Sequence, residues 1–384
     1  GGGSIGGSVA TELSIEDNDI VVIDNNEANL EPLKSKEGIK TVLGDATSPT
    51  TLSKSNLDEK SLLLCLTDSE EINLLASIIA HAKFDVKKII CRLKGSEYKE
   101  IAKQIASHVD FFINPEDLIN DEIKSLLKHP GALEILDFAE GKIKLVSVYA
   151  KKSGILVGRQ IKELNNDLPD YETRIPALYR DENLIIPTGD TTILEGDEVF
   201  FIADEKHIED VTQELQKLED KYKNIYVVGA GNIGTSLASK INNDFNLKVI
   251  EKDSEQSKIA SDLLDNVLIL NADAADKDFL ANEGIADCDV YVAVTQDDET
   301  NVLCSLMAKK LGAKKTITII NNDAYFDLVG KNELDIIISP VQITVSYILK
   351  YVRKGSVSNV HKVKKGKAEV LEITIDNFAE GLKG

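Results

Sequence analysis

The chain repeats itself, and that constrains its fold more than any single motif. GGGSIGGSVA, Gly1 to Ala10, aligns with GAGNIGTSLA, Gly229 to Ala238, and five later strand-like segments recur at an offset of about 227 residues. Ile20 to Asp24 pairs with LKVIE ending at Glu251, and Thr41 to Asp45 with Leu268 to Asp273. Leu62 to Thr67 pairs with Val290 to Thr295, Lys88 to Arg92 with Thr316 to Ile320, and Phe111 to Ile113 with Ile336 to Ile338. Short apolar strands alternating with helical stretches specify a parallel, doubly wound sheet. The second copy has a strand, Ile225 to Val228, before its glycines; the first begins at the glycines, so its first strand is expected to be missing.

Both glycine turns read G-x-G-x-x-G. In such a turn the first glycine permits the tight bend, the second lets the backbone approach a pyrophosphate, and the third allows close helix–sheet packing. The following helix then offers unpaired N–H groups to phosphate. One such turn is a weak signal; two, each followed by a strand ending in an acid, are stronger. Asp24 lies 18 residues after Gly6, and Glu251 lies 17 after Gly234. A carboxylate there grips ribose hydroxyls and repels a 2′-phosphate. The expected fold class is α/β: two doubly wound parallel Rossmann-like sheets in tandem, each followed by a small α+β ligand-binding-type domain, the second truncated. The expected boundaries are residues 1–133, 134–220, 221–353 and 354–384. The acids at Glu70, Asp297 and Asp298 have a plainer reading as solvated helix starts, where carboxylates favour the macrodipole.

Between the halves, Leu118, Ile119, Ile123, Leu126 and Leu127 fall at helical spacing, as do Val341, Val345, Ile348, Leu349 and Val352 in the second copy. Strands are expected at Lys142 to Tyr149 and Glu172 to Tyr179, then short β segments within Thr188 to Ala203. A charged helix is expected over Lys206 to Lys221. This module has no nucleophile–base pair. The histidines His81, His108, His129, His207 and His361 show no metal-ligand spacing, so no metal site and no catalytic residue are expected.

A net charge of −21 argues against nucleic acid as the main partner, because phosphate neutralisation needs a basic face. The apolar runs are too short for a spanning helix of about 20 residues. Cys65, Cys91, Cys288 and Cys304 lack C-x-x-C spacing and fit a reducing cytosol.

The glycine turn, the strand-end acid, GDAT at Gly44 to Thr47, T-x-x-x-E-x-N at Thr67 to Asn73 and CRLKGSEY at Cys91 to Tyr98 resemble the nucleotide-binding domain of potassium-conductance regulators. ILEGDEVFFI at Ile193 to Ile202 is similar to the small domain that follows it, and two such pairs in tandem resemble the peripheral regulatory subunits of Trk-type potassium uptake systems. The resemblance implies a non-enzymatic, cytoplasmic gating-ring subunit. It would be homotetrameric, docked beneath a membrane-embedded potassium channel subunit, and biased by NAD(H) or ATP/ADP. It places Gly1, Gly3, Ser4, Ile5 and Gly6, with Gly229, Gly231, Asn232, Ile233 and Gly234, at the phosphates. Asp24, Asn25, Glu251 and Lys252 fall at the ribose, and Asp45, Ala46, Asp273 and Ala274 at the adenine end. Thr67, Asp68, Glu71, Thr295, Gln296 and Glu299 line the crevice. Arg92 is the first half's cation; its positional twin is Ile319, so the second half departs from the pattern. Two other classes compete: a Rossmann oxidoreductase acting on a small substrate, which would turn over NADH, and a dimeric scaffold, which would bind no nucleotide.

Overall fold

The computed structural model describes residues 1–373 apart from 17, 95–100, 103, 164–172, 182, 218–220, 323–324, 326–332, 353–356 and 364–367. The part of CRLKGSEY after Lys94, and the end of the basic run at 361–367, therefore lie outside the described residues.

The first half runs α1 (Ser4–Ser14), β1 (Ile20–Asp24), α2 (Glu27–Lys34), β2 (Ile39–Leu43), α3 (Pro49–Ser53), β3 (Leu62–Cys65), α4 (Glu70–Phe84), β4 (Lys88–Arg92) and β5 (Phe111–Ile113). β1 pairs with β2, and β3 with β4 with β5, all parallel. No described strand joins the two pieces.

Next come α5 (Pro115–Lys128) and the small domain: β6 (Ala132–Phe138), β7 (Ile143–Tyr149), β8 (Arg174–Arg180), β9 (Asn183–Ile185), β10 (Glu198–Asp204) and α6 (Ile208–Leu215). The sheet order is β6-β7-β10-β8-β9, antiparallel throughout. Leu145 and Phe200 form its core with Leu136, Phe138, Ala177, Tyr179 and Ile202. Asp197, 1% exposed, takes Nε and Nη2 of Arg180 on separate oxygens at 2.6 Å each, and the Leu194 N–H as well. A buried carboxylate is tolerated only when so fully paired. Sequence reading did not anticipate β6, whose ALEILDF lacks a clean two-residue alternation. It placed the helix at Lys206–Lys221; the structure has a 3-10 turn at Glu205–His207, capped by Asp204, and then α6, ending where Gln216 turns extended.

The second half runs β11 (Asn224–Val228), α7 (Asn232–Ile241), β12 (Asn246–Glu251), α8 (Ser254–Leu263), β13 (Leu268–Asn271), α9 (Lys277–Asn282), β14 (Val290–Ala293), α10 (Asp298–Lys310), β15 (Lys315–Ile319) and β16 (Ile336–Ile338). Its sheet is complete and parallel in the order β13-β12-β11-β14-β15-β16. All four residues of β14, and all but the first of β11, are buried, as a strand covered on both faces requires, whereas the ends of edge strand β13 are exposed. The strand order reverses between β11 and β14, and ligands of such sheets bind at the strand tips of that switch point. Lys315 Nζ donates to the Ala132 carbonyl at 2.7 Å, tying this sheet to β6.

α11 (Pro340–Val352), β17 (Val357–Val363) and β18 (Ala368–Ile373) follow. The described residues divide into two compact units: Gly1–Leu118 with Pro340–Lys362 and Ile373, and Ile119–Ser339 with Val363–Glu372. The helix after the last strand of each half, α5 from Ile119 onward and α11, is therefore grouped with the other half. In the first unit, Val345, Ile348 and Leu349 of α11 are buried with Ile5, Val9 and Leu13 of α1. In the second, Lys124 Nζ of α5 donates to the Lys240 carbonyl of α7 at 3.0 Å, and Lys240 pairs with Asp121 at 2.9 Å. The apolar stripes seen in the sequence are the faces of these two helices.

Candidate dinucleotide-binding site

Each helix of a doubly wound sheet begins with N–H groups that have no intrahelical partner, and a side chain usually caps them. Here Asn26, Ser48, Ser69, Asp253, Asp276 and Asp297 cap α2, α3, α4, α8, α9 and α10. α1 and α7 start at Gly3 and Gly231, which supply no side-chain cap. A methyl group built on either glycine meets no atom within 4 Å, so both helix ends open onto free space. That combination is what an incoming phosphate needs.

The third glycines do the opposite job. A Cβ on Gly6 would lie 1.9 Å from the Gly1 carbonyl oxygen, and one on Gly234 would lie 1.9 Å from that of Gly229. Gly229 itself has φ +97°, in the region that favours glycine, with Thr295 packed at 3.0 Å from where its Cβ would be. Of the remaining phosphate-end residues, Ser4 and Asn232 are exposed and Ile233 is half-buried. Ile5 points into the core against α11, so only its backbone belongs to the turn.

The strand-end acids stand directly behind these turns. Asp24 Oδ2 accepts the Gly2 N–H at 2.6 Å, and Oδ1 accepts the Asn26 N–H at 2.8 Å and the Asn29 amide at 3.2 Å. Burial alone would raise this carboxyl, but the Asn26 and Gly2 N–H groups and the Asn29 amide hold it below the usual carboxylate range. In the second half Glu251 accepts the Ala230 N–H at 2.7 Å and the Asp253 N–H at 2.8 Å. Sequence reading missed Asn29, which donates to Asp24, and Gln256, which donates to the Ala230 carbonyl at 2.6 Å; each lies on the helix after the acid.

At the third-strand acids, expected at the adenine end, the halves diverge. Asp45 is closed on the N–H and hydroxyl of Thr47, and the exposed Asn25 follows Asp24. Asp273 instead pairs with Lys252 at 2.8 Å, which together with the Ala275 N–H lowers its carboxyl. Ala46 and Ala274 pack inward, Ala274 into the core of the second sheet.

Thr67 and Thr295 turn the chain at the tips of β3 and β14, and their hydroxyls are used internally. Asn73 Oδ1 accepts the Thr67 N–H and hydroxyl, while its Nδ2 donates to the carbonyls of Thr67 and Arg92. Asn301 repeats all four bonds with Thr295 and Ile319. The T-x-x-x-E-x-N motif is thus a buried clip holding two adjacent strand tips. Glu71 takes the Ser69 hydroxyl, and Glu299 takes the Tyr325 hydroxyl at 2.6 Å. The helix-start acids are more than solvated: Asp297 is the cap of α10, Glu70 accepts the Lys94 N–H, and Asp298 accepts the N–H groups of Asn321 and Asn322. Arg92 Nη1 pairs with the exposed Asp68 at 2.8 Å, and its buried Nε has no partner among the described residues. In the second half Gln296 and the buried Ile319 stand at the matching places, without charge.

Two parallel α/β halves, each with an uncapped glycine turn and an acid held behind it, define a tandem Rossmann-like protein. Comparison with known proteins agrees. Residues 1–115 and 225–340 match the TrkA-N domain, and residues 145–216 match the TrkA-C domain. The Trk system potassium uptake protein TrkA of Halomonas elongata is 39% identical over 375 residues, covering 97% of this chain and 82% of that protein. Among solved structures, the GsuK channel bound to NAD aligns with a TM-score of 0.65 and 15% identity, over 91% of this chain and 62% of that one. GsuK bound to ADP aligns at 0.56 and 14%, over 91% and 67%. The chain belongs to the TrkA family of Trk-system potassium uptake proteins. Among the described residues no helix is long and apolar enough to cross a membrane, and no group of three or more histidine, cysteine or carboxylate side chains is placed to hold a metal.

Proposed function

We propose that this chain is the nucleotide-sensing regulatory subunit of a Trk-type potassium channel, with one nucleotide site in each half. The observation that carries the reading is the pair of helices, α1 and α7, that alone among the eight sheet helices with described caps start on uncapped glycines facing open space. The phosphates of NAD(H) or ATP/ADP meet those N–H groups, and the ribose diol donates to Asp24 or Glu251, which the turn's own N–H already orients. The named relatives support the potassium system, and the NAD-bound and ADP-bound states of GsuK support the ligand class.

Regulation follows from linkage: a nucleotide shifts a two-state protein only by its difference in affinity between the states. Arg92, beside Asp68, gives the first crevice a cation where the second has Ile319, and the second carries Lys252 beside Asp273 instead, so one nucleotide need not favour the same state in both. The output passes to a membrane-embedded channel subunit, which holds this one at the cytoplasmic face. Leu75, Ile78 and Leu303, exposed on the twin helices α4 and α10, supply an apolar face for homotetramer assembly. A thermal-shift panel of NAD, NADH, ATP, ADP and NADP, run with a mass measurement, tests the reading. Stabilisation by the first four and a tetrameric mass are expected; no shift with any nucleotide contradicts it.

A further inference from the structure

The two exchanged helices follow matching strands but are not built alike. Aligned from Pro115 and Pro340, α5 carries Asn120 where α11 has Val345, Glu122 where α11 has Tyr347, and Lys124 where α11 has Leu349. On α11 those three are apolar or aromatic: Val345 and Leu349 are buried against α1, and Tyr347 is packed with Phe111 and Tyr351. On α5 the stripe of buried residues is Ile119, Asn120, Ile123, Leu126 and Leu127, so its second member is an amide.

Asn120 is 0% exposed, and neither its Nδ2 nor its Oδ1 has a hydrogen-bond partner among the described residues. A buried amide that finds neither water nor protein is among the costlier groups a fold can hold, and such groups are rare. The neighbouring contact is polar as well: Lys124, one turn on, reaches the Lys240 carbonyl at the end of α7, and Asp121 reaches the Lys240 ammonium. Burial pushes the Glu122 carboxyl up to about 7, a further sign that α5 carries polar groups where α11 carries rings and methyls.

We propose that Asn120 makes the α5–α7 contact the separable one of the two exchanged-helix contacts, leaving α1–α11 as the permanent one. An orphaned amide is stabilised whenever the helix lifts and water enters, so opening costs less at α5 than at α11. Its twin, Val345, gains nothing from water. The asymmetry gives the second unit a defined place to yield, which a symmetric duplication would lack.

Hydrogen–deuterium exchange on the full chain tests this, without nucleotide, so that its outcome is independent of the ligand reading above. Amides of 119–127 and 232–241 are expected to exchange at least about tenfold faster than those of 4–14 and 340–352, as one unsatisfied buried polar group implies. Asn120→Val is expected to slow the first pair and raise the melting temperature by about 2–4 °C. The reciprocal Val345→Asn is expected to quicken the second pair. Equal protection of both pairs in the unmodified chain would overturn the proposal. So would an Asn120→Val variant whose α5 and α7 exchange as fast as before or faster, since the amide is then already satisfied where it stands.

Discussion

The Ala230 N–H donates to Glu251 at 2.7 Å, the same bond that Gly2 makes with Asp24 at 2.6 Å in the other half. One turn and one acid are locked together twice, before any ligand arrives. On the proposed reading, a carboxylate already oriented by the glycine turn needs no rearrangement to meet a ribose, and such preorganisation lowers the entropy lost on binding.

The two kinds of glycine in the turn separate folding from binding. Gly234→Ala places a methyl 1.9 Å from the Gly229 carbonyl and is expected to destabilise the second half by about 1–3 kcal/mol. Gly231→Ala meets nothing within 4 Å, so its stability should stay within about 0.5 kcal/mol of the parent. It fills the space in front of α7, however, and is expected to weaken nucleotide binding there. Urea melts and titrations of the two variants check both halves of this statement.

Asn301 satisfies four groups at once, and Asn301→Ala leaves the Thr295 N–H and two carbonyls to find water. With Asn301 fully buried, the expected loss is about 3 kcal/mol, and Asn73→Ala should behave alike in the first half. Asn301→Asp recovers the acceptor but not the donor, and so should fall between, measured by the urea midpoint at constant m-value.

Glu122 predicts a pH dependence. Its carboxyl in the folded chain is pushed up to about 7 by burial, above the unfolded value near 4.3. The folded state therefore holds the proton more tightly. That contribution is complete below about pH 4 and is lost as pH rises toward 7. Glu122→Gln removes the titration, so the melting temperature of the variant relative to the parent should climb between pH 4.5 and 7 and then level off. A difference that is flat across that window contradicts the assignment.

Much of this was legible in the sequence because duplication supplies an internal comparison. The strands, the turns and the acids Asp24 and Glu251 stand out by recurring, and apolar runs of four or five residues set the buried strands. Other features were hidden for physical reasons. Gln256 acts through a side-chain bond to the Ala230 carbonyl in a distant turn, which no local spacing reveals, and Asn29 through a bond to Asp24 that appears only once α2 is folded back over the strand end. Lys252 and Asn25 look interchangeable as exposed polar residues until Asp273 is seen beside one of them. β6 escaped because its register with β7 shifts between Ala132 and Glu134, blurring the alternation that marks a strand. The exchange of α5 and α11 is a long-range choice: each stripe is apolar enough to pack on either half.

The most direct test of the central claim is a calorimetric titration of NAD and of ATP into the parent chain, Asp24→Ala and Glu251→Ala. Each substitution deletes the proposed charged acceptor for the ribose diol, so each should weaken binding about tenfold or more in its own half while the other half binds as before. Affinities unchanged in both variants, for both nucleotides, would contradict the account.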